Sequence, residues 1–192
     1  MQGGLWASLG ERQQLRWFGA ASLVAFGLSY WVGITGQALR TAASPFGIVS
    51  LELAGTAEAA QRIHAAWGAT GREAAAFNIR IDFLYLLAYG IALSIGCAVA
   101  STWWGRRSAR MASLGPAMSL AMLLAAGCDA VENVAMLLAL RDPGNALWPM
   151  LARVCAMVKF ALLPLGLLYV MTGAFTRIGT RNQPAPAAPR RS

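Results

Sequence analysis

The chain has 192 residues, of which 57% are hydrophobic and 12% are charged, and its formal net charge at pH 7 is +8. Because about a quarter of the residues in a soluble domain are charged, this composition excludes an ordinary soluble protein and predicts an integral membrane protein. The positive charge does not indicate a nucleic-acid-binding protein, since no folded basic face is visible to carry it. Attraction to anionic headgroups explains it, so membrane lipids are the expected partners and nucleic acid is not.

The motifs of well-known enzyme and metal sites are absent from the sequence. It has one histidine, His64, and its three cysteines, Cys97, Cys128 and Cys155, lie at no metal-ligand spacing. It has no His-Glu-x-x-His, Gly-x-Ser-x-Gly or phosphate-binding loop. We therefore expect no cofactor and no metal site, and we interpret the cysteines as buried free thiols.

Four apolar segments are each long enough to cross about 30 Å of hydrocarbon, which takes about 20 residues. They lie at residues 17–36, 81–102, 111–140 and 147–173. The pattern predicts an all-α integral membrane protein, a four-transmembrane-helix bundle in which residues 17–173 form a single membrane domain. Residues 1–16 are expected to be a cytoplasmic N-terminal segment. Residues 174–192, which end in a stretch rich in proline, alanine and arginine, are expected to be a disordered cytoplasmic tail.

The distribution of arginine predicts the orientation of the bundle. Arginines concentrate in the N-terminal segment, in the loop between the second and third spans, and in the tail: Arg12, Arg16, Arg106, Arg107, Arg110, Arg177, Arg181, Arg190 and Arg191. With four spans these three regions share one side of the membrane, and positively charged flanks mark the cytoplasm. The prediction is a multi-pass protein of the cell inner (plasma) membrane, with both termini cytoplasmic and residues 37–80 outside.

The first span carries a strip of small residues at four-residue steps. Its members are Ala21, Ala25, Ser29 and Gly33. Because such a strip lets another helix approach closely, it predicts a packing seam, and it is where a homo-oligomer would form. We assign no chemistry to it.

The loop after the first span predicts a short helix of its own, which opens at Thr56 and is ended by Gly68 and Gly71. Its apolar face would consist of Ala60, Ile63 and Trp67. We expect an extracytoplasmic amphipathic helix that lies in the membrane interface, followed by an extension of the second span. The preceding segment 51–53, which contains Glu52, is left unassigned.

The most informative residues are polar side chains inside three of the predicted spans. The second span contains Asp82, Tyr85 and Tyr89, the third contains Asp129, Glu132 and Asn133, and the fourth contains Arg153 and Lys159. Steps of three and four residues place the second-span set on one helical face and the third-span set on another. A carboxylate in hydrocarbon costs about 2.5–3.5 kcal/mol on insertion scales, so these groups need a protein-lined interior and partners.

Depth along each helix predicts which of these groups meet. A rise of 1.5 Å per residue, counted from the span centres, places the charged groups in the outer half of the membrane. By depth, Glu132 matches Arg153 and Asp129 matches Lys159. Three acids then face two bases, so one carboxyl group is left to carry a proton unless a base outside the spans pairs with it.

Two functional interpretations follow. In the first, the outer half holds a polar pocket that binds a lipid-like or isoprenoid small molecule and, in one version, transforms it by acid–base chemistry. The candidate acid and base are Asp129 and Glu132, and the candidate binding residues are Asp82, Tyr85, Tyr89, Asn133, Arg153 and Lys159. In the alternative, the protein is a structural or assembly protein whose buried ion pairs only fix helix packing. Ion transport is disfavoured because the inner halves of the spans are nearly purely apolar. The sequence assigns no reaction and does not decide whether the protein is an enzyme.

Overall fold

The structure, a computed structural model, describes residues 4–181, with side chains described as far as residue 178. The α-helices of this part are α1 (Glu11–Thr35), α2 (Ile48–Glu52), α3 (Ala57–Trp104), α4 (Ala109–Ser113), α5 (Gly115–Arg141) and α6 (Leu147–Arg181). A short 3-10 helix, Gln37–Leu39, follows α1. Within residues 4–181 the only extended pairing is a single bridge between Thr41 and Ser44. The all-helical prediction is therefore confirmed.

In the described part of the chain, four helical stretches are long and apolar enough to cross a membrane: Glu11–Thr35, Ala57–Trp104, Ala109–Arg141 and Leu147–Ile178. Their most apolar windows have mean hydropathies of 1.4, 2.0, 1.7 and 2.1. Apart from residue 36, each stretch contains the corresponding predicted span, so the predicted four-helix bundle is confirmed at this level. Residues 174–181, expected to begin the disordered tail, are helical, and residues 182–192 lie outside the described part.

The surface of these helices is apolar where the surface of a soluble protein would be polar. Large side chains such as Leu23 and Phe26 are 76% and 77% exposed, whereas the charged Glu132 and Lys159 are buried. An exposed apolar surface of this extent normally marks contact with another apolar phase. The inverted distribution fits a hydrocarbon environment around the four long helices.

Helix α3 lies at the centre of the bundle, where it contacts α1, α5 and α6, and α5 also packs on α6. Small residues make two of these crossings close. Gly90 of α3 meets Ala126 of α5, where an added Cβ atom would stand 2.7 Å from the Ala126 Cβ. Gly166 of α6 similarly meets Met122 of α5. These close approaches bring the polar faces of α3, α5 and α6 within hydrogen-bonding distance of one another.

Helix α3 is interrupted at Gly68, where φ is 62° and ψ is −162°. Glycine adopts a positive φ readily, and other residues do so only at a cost, so the helix breaks at this position. The part before Gly68 is the predicted short helix, and the Thr56 hydroxyl caps it by accepting a hydrogen bond from the Ala59 amide at 3.2 Å. Its apolar face packs in a core cluster with residues of the bundle: Ala60, Ile63 and Trp67. That face therefore contacts protein, and its extracytoplasmic location stays a prediction.

The two ends of the bundle gather different parts of the chain. At one end lie residues 4–10, the turn from α3 to α4, and the last turns of α6, where an Arg177 nitrogen is 3.9 Å from a Glu11 carboxyl oxygen. At the other end lie residues 36–56 and the turn from α5 to α6. Within the described residues, the arginines of the first turns of α1, of the turn from α3 to α4 and of the last turns of α6 therefore lie at the same end of the bundle.

Candidate functional site

A buried ammonium group surrounded by carboxylates occupies the half of the bundle nearer residues 36–56. Lys159 Nζ of α6 donates to two residues of α5, Asp129 Oδ1 at 2.8 Å and Glu132 Oε1 at 2.9 Å. It also donates to Glu52 Oε2 of α2 at 3.4 Å. These four side chains, called the ionic cluster below, are each at most 10% exposed. Because an ammonium group has three N–H donors, all of those on Lys159 are used, which suits it to holding charge.

The predicted pairing of Asp129 with Lys159 is confirmed, and the predicted pairing of Glu132 with Arg153 is wrong. Arg153 is exposed, forms no ion pair within residues 4–178, and packs its side chain against Gly55. Arg153 precedes Lys159 by six positions, and a helix rotates about 600° over that length, so the two side chains leave α6 on different faces. Matching by depth alone did not take this rotation into account.

A second set of hydrogen bonds connects the cluster to α3. The Tyr89 hydroxyl donates to Asp129 Oδ2 at 2.7 Å, so both carboxyl oxygens of Asp129 are occupied. Asn133 Nδ2 of α5 donates to Asp82 Oδ2 of α3 at 2.8 Å. The Tyr85 and Tyr89 rings lie 5.1 Å apart, centroid to centroid. The polar sets predicted on the second and third spans therefore meet in the structure.

Glu52 is the member of the ionic cluster that sequence reasoning left unassigned. It ends α2, which lies between two glycines with positive φ, Gly47 at 61° and Gly55 at 70°. These two turns allow a short piece of the first loop to fold against the bundle. The available signal was a lone acidic residue within the apolar run 46–54, because a helix as short as α2 shows no usable periodicity.

The site contains too little positive charge to balance its acids. When Asp82 is included, four carboxyl groups stand around one ammonium group. Within residues 4–178, three of their oxygens have no hydrogen-bond partner: Glu132 Oε2, Glu52 Oε1 and Asp82 Oδ1. Burying uncompensated charge is costly, so protons or an added cationic group must offset the excess.

A cavity of about 220 Å³ lies beside the cluster. Its polar wall consists of Glu52, Asp82, Tyr85, Tyr89, Asp129 and Lys159. Two predicted site residues, Glu132 and Asn133, are buried but do not line this cavity, and Arg153 does not line it either. Asp129 is therefore the predicted acid–base candidate that a molecule in the cavity would meet directly.

An apolar groove of about 510 Å³ adjoins this cavity. The two spaces share four lining residues: Tyr85, Tyr89, Phe160 and Leu163. Helices α1 and α6 supply the walls of the groove, and α3 supplies its floor. A polar cavity that adjoins an apolar groove suits a molecule with a polar end and a hydrocarbon chain.

Part of the predicted packing seam on α1 lines this groove. Ala25 packs in a cluster with Leu86 and Tyr89 of α3, as a seam residue should. Ser29 lines the groove, whereas a Cβ atom added at Gly33 would meet nothing within 4 Å. The small residues thus make room for the groove as well as for helix contact, and homo-oligomer formation along the seam stays a prediction.

The other half of the bundle contains neutral polar groups that sequence reasoning missed. Residues 4–10 fold against α3 and α5, and Trp6 Nε1 donates to Ser94 Oγ at 2.9 Å. The Ser94 and Ser119 hydroxyls lie 2.8 Å apart. This half is therefore less purely apolar than expected, although these hydrogen-bonded groups carry no charge.

The chain thus belongs, by its fold, to all-helical proteins with four helices able to cross a membrane, and it holds a buried ionic cluster between them. Within the described residues, no group of three or more histidine, cysteine, aspartate or glutamate side chains is placed to hold a metal ion. Comparisons with protein-family models, with curated proteins and with solved structures give no match.

Proposed function

We propose that the protein is a multi-pass protein of the cell inner membrane that binds a lipid-like or isoprenoid small molecule. The observation that carries the proposal is the junction of the polar cavity with the apolar groove through Tyr85, Tyr89, Phe160 and Leu163. The hydrocarbon chain of the ligand lies between α1 and α6, and its polar end reaches the side of the ionic cluster.

The orientation follows from the charge on the two ends of the bundle. The arginine-rich regions meet at the end that holds residues 4–10, and positively charged flanks mark the cytoplasm. Both termini are then cytoplasmic, and the ionic cluster lies in the outer half of the membrane. A ligand enters the groove sideways from the lipid, because the walls of the groove come from two helices that flank α3.

A version with catalysis uses the hydrogen bonds around Asp129. Tyr89 and Lys159 donate to its two oxygens, so they fix the carboxyl group at the edge of the cavity. A proton exchanged with a ligand would pass through Asp129, with Glu132 behind it as the second acid. Asn133 holds Asp82 in place by its hydrogen bond.

The alternative is a structural protein in which the ionic cluster only joins helices. The observation in its favour is that all three N–H groups of Lys159 donate to residues of α2 and α5, so none remains for a ligand. The cavity and the groove favour binding, because helix packing alone requires neither space.

The test measures lipid that co-purifies with the protein. Ser29→Phe places a ring in the groove, so we expect it to remove the ligand that mass spectrometry finds in the wild-type protein. Thr172→Phe is the matched control, because Thr172 lines a separate apolar cavity of about 300 Å³ far from the ionic cluster. Both variants should reach normal abundance in the membrane. Equal ligand content in both variants and in the wild type would contradict the proposal.

A further inference from the structure

We propose that the cavity beside the ionic cluster binds the protonated amine of an amphiphile whose hydrocarbon chain lies in the apolar groove. This inference rests on the proposed function and adds to it the chemical class of the polar end.

The first argument is the charge of the cavity wall. Three carboxyl groups line the cavity, those of Glu52, Asp82 and Asp129, and Lys159 is the one charged base among its lining residues. Lys159 pairs with Glu52 and Asp129 and offsets one negative charge, so three ionised carboxyl groups would leave the wall with an excess of negative charge. A phosphate or carboxylate in the cavity would meet like charge. A cationic group would supply the charge that the wall lacks.

The second argument is the presence of unpaired acceptors that face the cavity. Glu52 is 7% exposed, lines the cavity, and is bonded only through Oε2. Its Oε1 has no hydrogen-bond partner within the described residues, and the same holds for Asp82 Oδ1. Glu132 Oε2 is the fully buried carboxyl oxygen without a partner at this site, whereas Glu52 and Asp82 line the cavity, where a donor with a positive charge would satisfy their free oxygens best. An ammonium group has three such donors, whereas an alcohol has one.

The third argument is the aromatic rim where the cavity meets the groove. Tyr85, Tyr89 and Phe160 line both spaces. Aromatic faces attract cations, so an ammonium group is favoured on its way past the Tyr85 and Tyr89 rings. The Phe160 ring already has Lys159 Nζ 4.9 Å from its centroid. The hydrocarbon chain then continues between α1 and α6, where the lining is mostly apolar.

The experiment compares three amphiphiles with the same chain: dodecylamine, dodecanol and dodecanoic acid. Each is titrated against the full-length protein in phosphatidylcholine nanodiscs, and empty nanodiscs correct for partition into lipid. Since a charge-assisted hydrogen bond outweighs a neutral one, we expect dodecylamine to bind at least about tenfold more tightly than dodecanol, and dodecanoic acid to bind most weakly.

Two variants test whether the carboxyl groups of the cavity wall cause the preference for dodecylamine. Asp82→Asn should weaken the binding of dodecylamine by about tenfold, since it removes one charge from the cavity wall. The affinity for dodecanol should not change. Glu58→Gln is the control: it removes one negative charge from an exposed ion pair with Arg62, so both affinities should stay as in the wild type. If Asp82→Asn does not fold, Glu52→Gln tests the same point, and the three amphiphiles on the wild-type protein test it without any variant.

The outcomes separate this inference from the proposed function. If dodecanol binds as tightly as dodecylamine, the amine inference is overturned and the proposed function stands. The amine inference is also overturned if Asp82→Asn and Glu58→Gln lower the affinity for dodecylamine equally. If no amphiphile binds, and Ser29→Phe has no effect, both are overturned. If dodecylamine binds as expected, nanodiscs that contain phosphatidylethanolamine identify the source of the amine. Weaker dodecylamine binding in these nanodiscs indicates that an aminophospholipid competes for the cavity, and unchanged binding indicates a simple long-chain amine.

Discussion

The ionic half and the neutral half of the bundle join the same helices by different chemistry. In the ionic half, Lys159 bonds three carboxylates. In the neutral half, Trp6 donates to Ser94, whose hydroxyl lies 2.8 Å from that of Ser119. A neutral hydrogen bond contributes about 1 kcal/mol net, whereas removing one partner of a buried ion pair costs about 3–5 kcal/mol. Removing any one charged side chain should therefore destabilise the ionic half strongly, whereas removing one hydrogen bond from the neutral half should cost little stability.

The largest expected effect is that of Lys159→Met. The change leaves the carboxyl groups of the cluster without their shared cation, so we expect a loss of about 3–5 kcal/mol in the free energy of unfolding, measured by thermal or denaturant unfolding in detergent. Arg153→Met is the control on the same helix, because Arg153 is exposed and forms no ion pair within residues 4–178. Equal losses in the two variants would show that the cluster is not a stabilising centre.

The next effect is the coupling between Glu132 and Lys159. Glu132→Gln in the Lys159→Met background should recover part of the lost stability, because it removes a carboxylate that no longer has a cation. We expect an interaction energy of about 1–3 kcal/mol from the double-mutant cycle. The parallel cycle of Glu132→Gln with Arg153→Gln should be additive, since these side chains do not pair. Additivity in the first cycle and coupling in the second would restore the pairing inferred from depth.

The smallest effect is expected in the neutral half. Trp6→Phe removes the indole donor to Ser94 and should lower the free energy of unfolding by about 1 kcal/mol, without changing the ligand bound in the groove. Trp31→Phe serves as the control, because Trp31 is exposed on α1. A loss from Trp6→Phe as large as that from Lys159→Met would remove the distinction between the two halves.

The groups that sequence reasoning placed correctly are those set by helix geometry alone. Steps of three and four residues put Asp82, Tyr85 and Tyr89 on one face of α3, and the hydrogen bonds from Tyr89 and Asn133 show that this face meets α5. Reasoning by depth also found the pair of Asp129 with Lys159. It failed for Arg153, because depth along a helix does not report the direction in which a side chain leaves it.

The sequence by itself determined that four helices are long and apolar enough to cross a membrane, because length and hydropathy are properties of each segment alone. It also determined which polar side chains share a helical face. Only the tertiary structure decided that Glu52 joins the cluster, because that contact depends on two glycine turns that fold α2 against the bundle. It alone decided that the polar cavity continues into a groove between α1 and α6, because a space between helices depends on how they pack.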